Sequence, residues 1–197
     1  MYPTGRGRAL LLAAVTAMLL AGCTGTSVAP GPGKATSAAS SAAPPGGSAL
    51  ACGNYIDANA SAAPLPVVLG VVALPASPRY PALGTSLSGD GSGAPRLFAK
   101  TGLVIKPGTT FELIVPARFA NRLSIGWGSP GTPSLRVAVN NCSNPGAGWL
   151  AYAGGYWIDH PACVPIIVRA GGKQQEVHIG LGTPCPGQRP PQGPSQS

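Results

Sequence analysis

Val164-Pro165-Ile166-Ile167-Val168-Arg169-Ala170-Gly171-Gly172-Lys173-Gln174-Gln175-Glu176-Val177-His178-Ile179-Gly180-Leu181 reads as two strands folded back on a Gly-Gly turn. A two-residue hairpin turn needs positive φ at its central positions, which glycine adopts without steric cost. Such a turn pairs Ala170 with Lys173, and counting outward opposes Ile166 to Val177, Val164 to Ile179 and Cys163 to Gly180. One face then carries Val164, Ile166, Val168, Val177 and Ile179. The other carries Arg169, Gln174, Glu176 and His178, with Ile167 on this face and Gln175 on the apolar face as exceptions. Turn chemistry and alternation agree, and a one-residue slip would move every apolar side chain to the wrong face, so the register is specified. A hairpin with one apolar face must bury it against another layer.

Upstream, the composition favours more of the same. Charged residues are only 9% of the chain, while 29 Gly and 23 Pro punctuate it. Relative to Ala, Gly costs a helix about 1 kcal/mol and Pro about 3 kcal/mol. Residues 65–74 are apolar on both faces and read as one strand with a bend at Gly70. Residues 75–95 form a long Gly, Ser and Pro-rich loop, of a length that implies either mobility or a binding role. Strands resume at 96–100 and 103–105. Lys106-Pro107-Gly108-Thr109 fits a type II turn, after which 110–115 returns. Strands at 122–127 and 134–139 follow. The expectation is all-β: an antiparallel β-sandwich of about seven to nine strands, confined to 51–187.

Trp149-Leu150-Ala151-Tyr152-Ala153-Gly154-Gly155-Tyr156-Trp157-Ile158 concentrates four of the eleven aromatic residues. If Gly154-Gly155 is a hairpin turn, Tyr152 opposes Trp157 on one face, while Trp149, Tyr156 and His160 share the other. Exposed, such rings would stack on a sugar face, which makes Trp149, Tyr152, Tyr156 and Trp157 a candidate ligand surface. Buried, they are core with their polar tips satisfied at the rim. Catalytic raw material is scarce. The acids are Asp57, Asp90, Glu112, Asp159 and Glu176, the histidines His160 and His178, and no Gly-x-Ser-x-Gly elbow occurs. Asp159-His160-Pro161 reads as a strand-end turn. The chain is therefore expected to be no enzyme and to use no metal or other cofactor.

Near the N-terminus, Arg6 and Arg8 precede an apolar run ending in Leu20-Ala21-Gly22-Cys23. This resembles the lipobox of bacterial lipoproteins: a positive start, a short apolar core and small residues at the cut. The resemblance implies a signal peptide over 1–22, lipidation of Cys23, and a cell-membrane anchor on the extracytoplasmic face. One acyl chain holds only marginally, at about 0.8 kcal/mol per buried methylene, so a diacylglyceryl cysteine meets the need for at least two. Residues 23–50 read as the lipidated Cys and a disordered Ala, Ser, Gly and Pro tether, and 188–197 as a disordered tail. Without Arg6 and Arg8 the chain carries 11 Lys and Arg against 5 Asp and Glu, a net +6. These charges are scattered singly, so no nucleic-acid footprint is expected.

Cys52, Cys142, Cys163 and Cys185 remain for disulfides, as an oxidising compartment permits. Cys163 lies opposite Gly180 in the hairpin, and Cys185 continues five residues beyond it, poorly placed to bridge back unless its loop reverses. The expected pairs are therefore Cys142 with Cys163 and Cys52 with Cys185. The segment 149–185 resembles a C-terminal part of actinobacterial exported proteins, which implies a β-sandwich, immunoglobulin-like in form, in the cell envelope. It supplies no functional residue. The function expected is a lipid-anchored, non-enzymatic interaction or structural module with an envelope protein or glycan as partner. The alternative is a small-ligand or glycan binder that uses residues 149–157.

Overall fold

The computed structural model describes residues 46–89, 95–128, 131–146 and 148–192. The segment read as a signal peptide, Cys23, most of the segment read as a tether and the last residues of the one read as a tail lie outside the described residues. Fourteen strands occur among those described: β1 (Gly47–Ala49), β2 (Asp57–Ala60), β3 (Val67–Val68), β4 (Val72–Ala73), β5 (Ser86–Gly89), β6 (Pro95–Lys100), β7 (Leu103–Ile105), β8 (Thr110–Ile114), β9 (Leu123–Trp127), β10 (Arg136–Asn140), β11 (Trp149–Tyr152), β12 (Gly154–Ile158), β13 (Ala162–Ala170) and β14 (Lys173–Leu181). They form three sheets, ordered β1-β10-β8-β13-β14, β2-β11-β7-β4-β3 and β5-β6-β12-β9. All strand pairings are antiparallel except β1 with β10. The chain is thus all-β and sandwich-like. Its strands outnumber the seven to nine expected because four of them are only two or three residues long.

The hairpin forms in the register its sequence dictates, with Ala170 opposite Lys173, Ile166 opposite Val177 and Val164 opposite Ile179. The apolar face, Val164, Ile166, Val168, Val177 and Ile179, is buried, whereas Gln175 is exposed and Ile167 half-buried. One continuous core joins these residues to Leu113 and Val139 of the same sheet, to Leu103, Ile105 and Leu150 of the second, and to Ile125 and Ile158 of the third. Each such side chain contributes about 1.5–3 kcal/mol on full burial.

The second and third sheets are two ends of one bent strand pair. Leu150 opposes Ile105 and Tyr152 opposes Leu103 in one; Gly155 opposes Lys100 and Ile158 opposes Leu97 in the other. The offset is the same in both, and Thr101 donates its N–H to the Gly154 carbonyl at 3.0 Å across the gap. Gly154 and Gly155 therefore do not form the hairpin turn expected, and Tyr152 faces Leu103 rather than Trp157. The glycines serve close backbone approach. A Cβ on Gly155 would lie 2.1 Å from the Ala99 carbonyl oxygen, and one on Gly154 2.2 Å from that of Gly126.

Other expectations need correction. Residues 65–74 are not one strand: Leu69 and Gly70 take φ of 49° and 73° and reverse the chain between β3 and β4. Burial on both faces hides that break from periodicity. The loop 75–95 contains β5, paired with β6, and the buried Ala76 and Ala82. Lys106 to Thr109 turns as read, with Gly108 at φ 74°, but it carries the chain from the second sheet to the first instead of closing a hairpin. The domain is wider than 51–187. β1 and the buried Leu50 fall within the segment read as tether, and Gln188, 7% exposed, within that read as tail.

Candidate functional site

Three of the four candidate ligand-surface aromatics are interior. Tyr156 is 0% exposed and meets Trp127 edge-on at 5.3 Å; Trp157, 8% exposed, packs on Phe98 at 4.7 Å. Tyr152 is buried and donates its hydroxyl to the Cys52 carbonyl at 3.0 Å. Only Trp149 is half-buried. Tyr152 and Tyr156 project into the common core formed by the three sheets, and Trp157 is covered by Phe98. Burial pushes both phenols above their ordinary pKa, Tyr152 further raised by Tyr55 nearby. The Tyr156 hydroxyl finds no hydrogen-bond partner among the described residues.

The disulfides are Cys52–Cys142 and Cys163–Cys185, with Cα atoms 5.1 Å and 4.8 Å apart. This overturns the expected Cys142–Cys163 and Cys52–Cys185 pairs. The loop after β14 does reverse: Gly182, at φ 68°, turns the chain back. Gln188 holds the return, its Oε1 accepting from the Cys185 N–H at 2.9 Å and its Nε2 donating to the Tyr80 carbonyl at 2.7 Å. Gly180 makes room, since a Cβ there would lie 2.4 Å from that Oε1.

Among the described residues, Glu112, Asp159 and Glu176 are engaged in ion pairs. Asp159 Oδ1 accepts from the backbone N–H of His160 at 2.8 Å and lies 2.9 Å from its Nδ1. The Arg122 guanidinium contacts His160 Nε2. Arginine can only donate, so Nε2 is the acceptor and Nδ1 carries the proton toward Asp159. An imidazole held between Asp159 and Arg122 fastens the end of β12. Arg118 and Arg122 both stack on Phe119, at 5.7 and 5.5 Å. Arg118 pairs with Glu176 at 3.2 Å, and Glu112 sits between Arg136 and Arg169 at 3.4 and 3.5 Å. Among the described residues no three His, Cys, Asp or Glu side chains assemble into a metal site.

Two hollows flank a ridge made by Ser77 and Pro78. One of about 520 Å³ is bounded by that ridge, His178, Pro186 and the Cys163–Cys185 bridge. The other, about 220 Å³, lies between the β3 and β14 edges, lined by Pro66, Val67, Val68, Ala76, Arg79 and Val177 among others. Loop length left 75–95 as either mobile or a place where something binds; residues 77–79 of it line these hollows. Their opposite walls come from residues about a hundred positions away, which no local pattern reveals. No family model, curated protein or solved structure matches the chain.

Proposed function

We propose that this chain is a lipid-anchored protein of the extracytoplasmic cell envelope whose folded domain acts as a non-enzymatic interaction or structural module. The leader and Cys23 carry the anchoring part of the reading, and two disulfides suit an oxidising compartment. The observation that favours a module over a glycan-stacking protein is the burial of Tyr152, Tyr156 and Trp157. Rings that fill a core are withdrawn from ligands. What remains for recognition is the surface, with its strand edges and hollows. The test of anchoring is Cys23→Ser in the full chain, produced in an envelope-bearing bacterial host and followed by palmitate labelling and fractionation. The expected variant takes up no label and leaves the membrane fraction. Undiminished labelling would remove the anchor from the reading.

A further inference from the structure

β14 is the outer strand of its sheet, and its free edge is only half covered. Ser77 and Leu83 donate their N–H groups to the His178 and Gly180 carbonyls, each at 2.8 Å, so these alternate residues point their backbone groups outward. Pairing with β13 is regular along all of β14. The same alternation therefore turns the N–H and C=O of Gln174 and Glu176 outward, and no backbone group meets them among the described residues. A strand laid along 173–177 would send alternate side chains to opposite faces. Toward the sandwich lies the 220 Å³ hollow between Val67, Val68, Ala76 and Val177, with Val67 47% exposed. Arg79, which lines the hollow, and Lys173, at the start of β14, are exposed and lack a carboxylate partner among the described residues, whereas Glu176 is already engaged by Arg118.

The geometry points to a docking edge: residues 173–177 of β14 take an extended segment of a partner protein by strand addition, one apolar side chain seated between Val67 and Val177 and a carboxylate beside Arg79 or Lys173. Main-chain bonds supply affinity in this mode, and the side-chain pocket supplies selectivity. The unbalanced cations choose an acidic partner over a basic one. This deepens the interaction-module reading and rests on it, but not on lipidation.

The test pans a random heptapeptide phage library against the full chain in detergent micelles. Enriched peptides are expected to carry a large apolar residue and an Asp or Glu nearby, and to bind Gln174→Pro at least tenfold more weakly. Proline there removes an outward N–H and an exposed side-chain contact from Arg169 at 3.2 Å, neither of which belongs to the backbone ladder to β13, so the thermal midpoint should stay close to that of the parent. Arg79→Glu should weaken the same peptides. Alternate N-methylation of a selected peptide repeats the test without altering the protein: methyls on one parity abolish binding and those on the other are tolerated. Equal tolerance of both parities, full-strength binding to Gln174→Pro, or no enrichment overturns the proposal. A dimer in sedimentation that Gln174→Pro dissolves also overturns it, by giving the edge to a second copy. The palmitate label on Cys23 and the peptide result can fail separately.

Discussion

At the scale of single residues, the glycines divide into two kinds with opposite sensitivities. Gly171 turns at φ 53° in open space, so Gly171→Ala should cost only about 1 kcal/mol of backbone strain. Gly155 sits in a central strand with Ala99 behind it, and Gly155→Ala should cost about 3 kcal/mol because backbone must move. Urea unfolding of the two variants compares them directly, and equal losses would show that β6 and β12 have slack. The sequence distinguishes the two poorly, since Gly-Gly is the same dipeptide in both places. Only the alternation around Gly171-Gly172 marked one as a turn. Tyr156 makes a second test. Its hydroxyl is buried without a protein partner, so Tyr156→Phe should leave the protein about 1 kcal/mol more stable at neutral pH, the edge-on contact with Trp127 being kept. The folded pKa lies above the ordinary phenol value of 10.0. Below pH 10 both states are protonated and stability does not depend on this group. Above it the unfolded chain ionises while the folded one holds its proton, so stability falls as pH rises. The Phe variant should lose less stability between pH 10 and 11, as thermal melts at the two pH values would register.

Among elements, the β13–β14 hairpin was legible to the residue because turn chemistry and period-two alternation give the same register. The bend that joins the second and third sheets was not, for it depends on three backbones meeting at Gly126, Gly154 and Gly155, and small residues carry no periodicity. The disulfides failed for a related reason. Their pairing turned on whether the chain reverses after Leu181, and the reversal is held by the amide of Gln188, a residue whose composition context reads as tail. Connectivity has an energetic counterpart. The Cys52–Cys142 bridge spans 90 residues and the Cys163–Cys185 bridge 22, so chain-entropy arguments assign them about 4.5 and about 3 kcal/mol. Replacing each pair by Ala in turn should therefore lower the denaturation free energy more for Cys52 with Cys142. Peptide mapping without reductant should yield a linked fragment joining Cys163 to Cys185.

For the whole molecule, sandwich class followed from the sequence, while the surface did not: its hollows and open edge are made where 66–68 and 76–79 meet 163–186, segments far apart along the chain. β1 shows how attachment and fold are connected. It lies on the sheet margin, parallel to β10, held through Leu50 N–H to the Ala138 carbonyl at 2.8 Å and a Ser48 to Ser134 hydroxyl contact at 2.9 Å. Immediately behind it, Cys52 is covalently joined to Cys142, just past the end of β10. A mechanical load arriving at Gly46 would thus peel a three-residue strand and then reach a covalent stop. Six residues, 46–51, can pay out about 20 Å of slack at low force, after which the tension bypasses everything from β2 through β10. In a single-molecule pulling experiment the oxidised domain should release that short length reversibly before any larger rupture, and reduction should let the 52–142 loop extend. The disulfide nearest the N-terminus acts as a force shunt, and the strand in front of it as a small shock absorber.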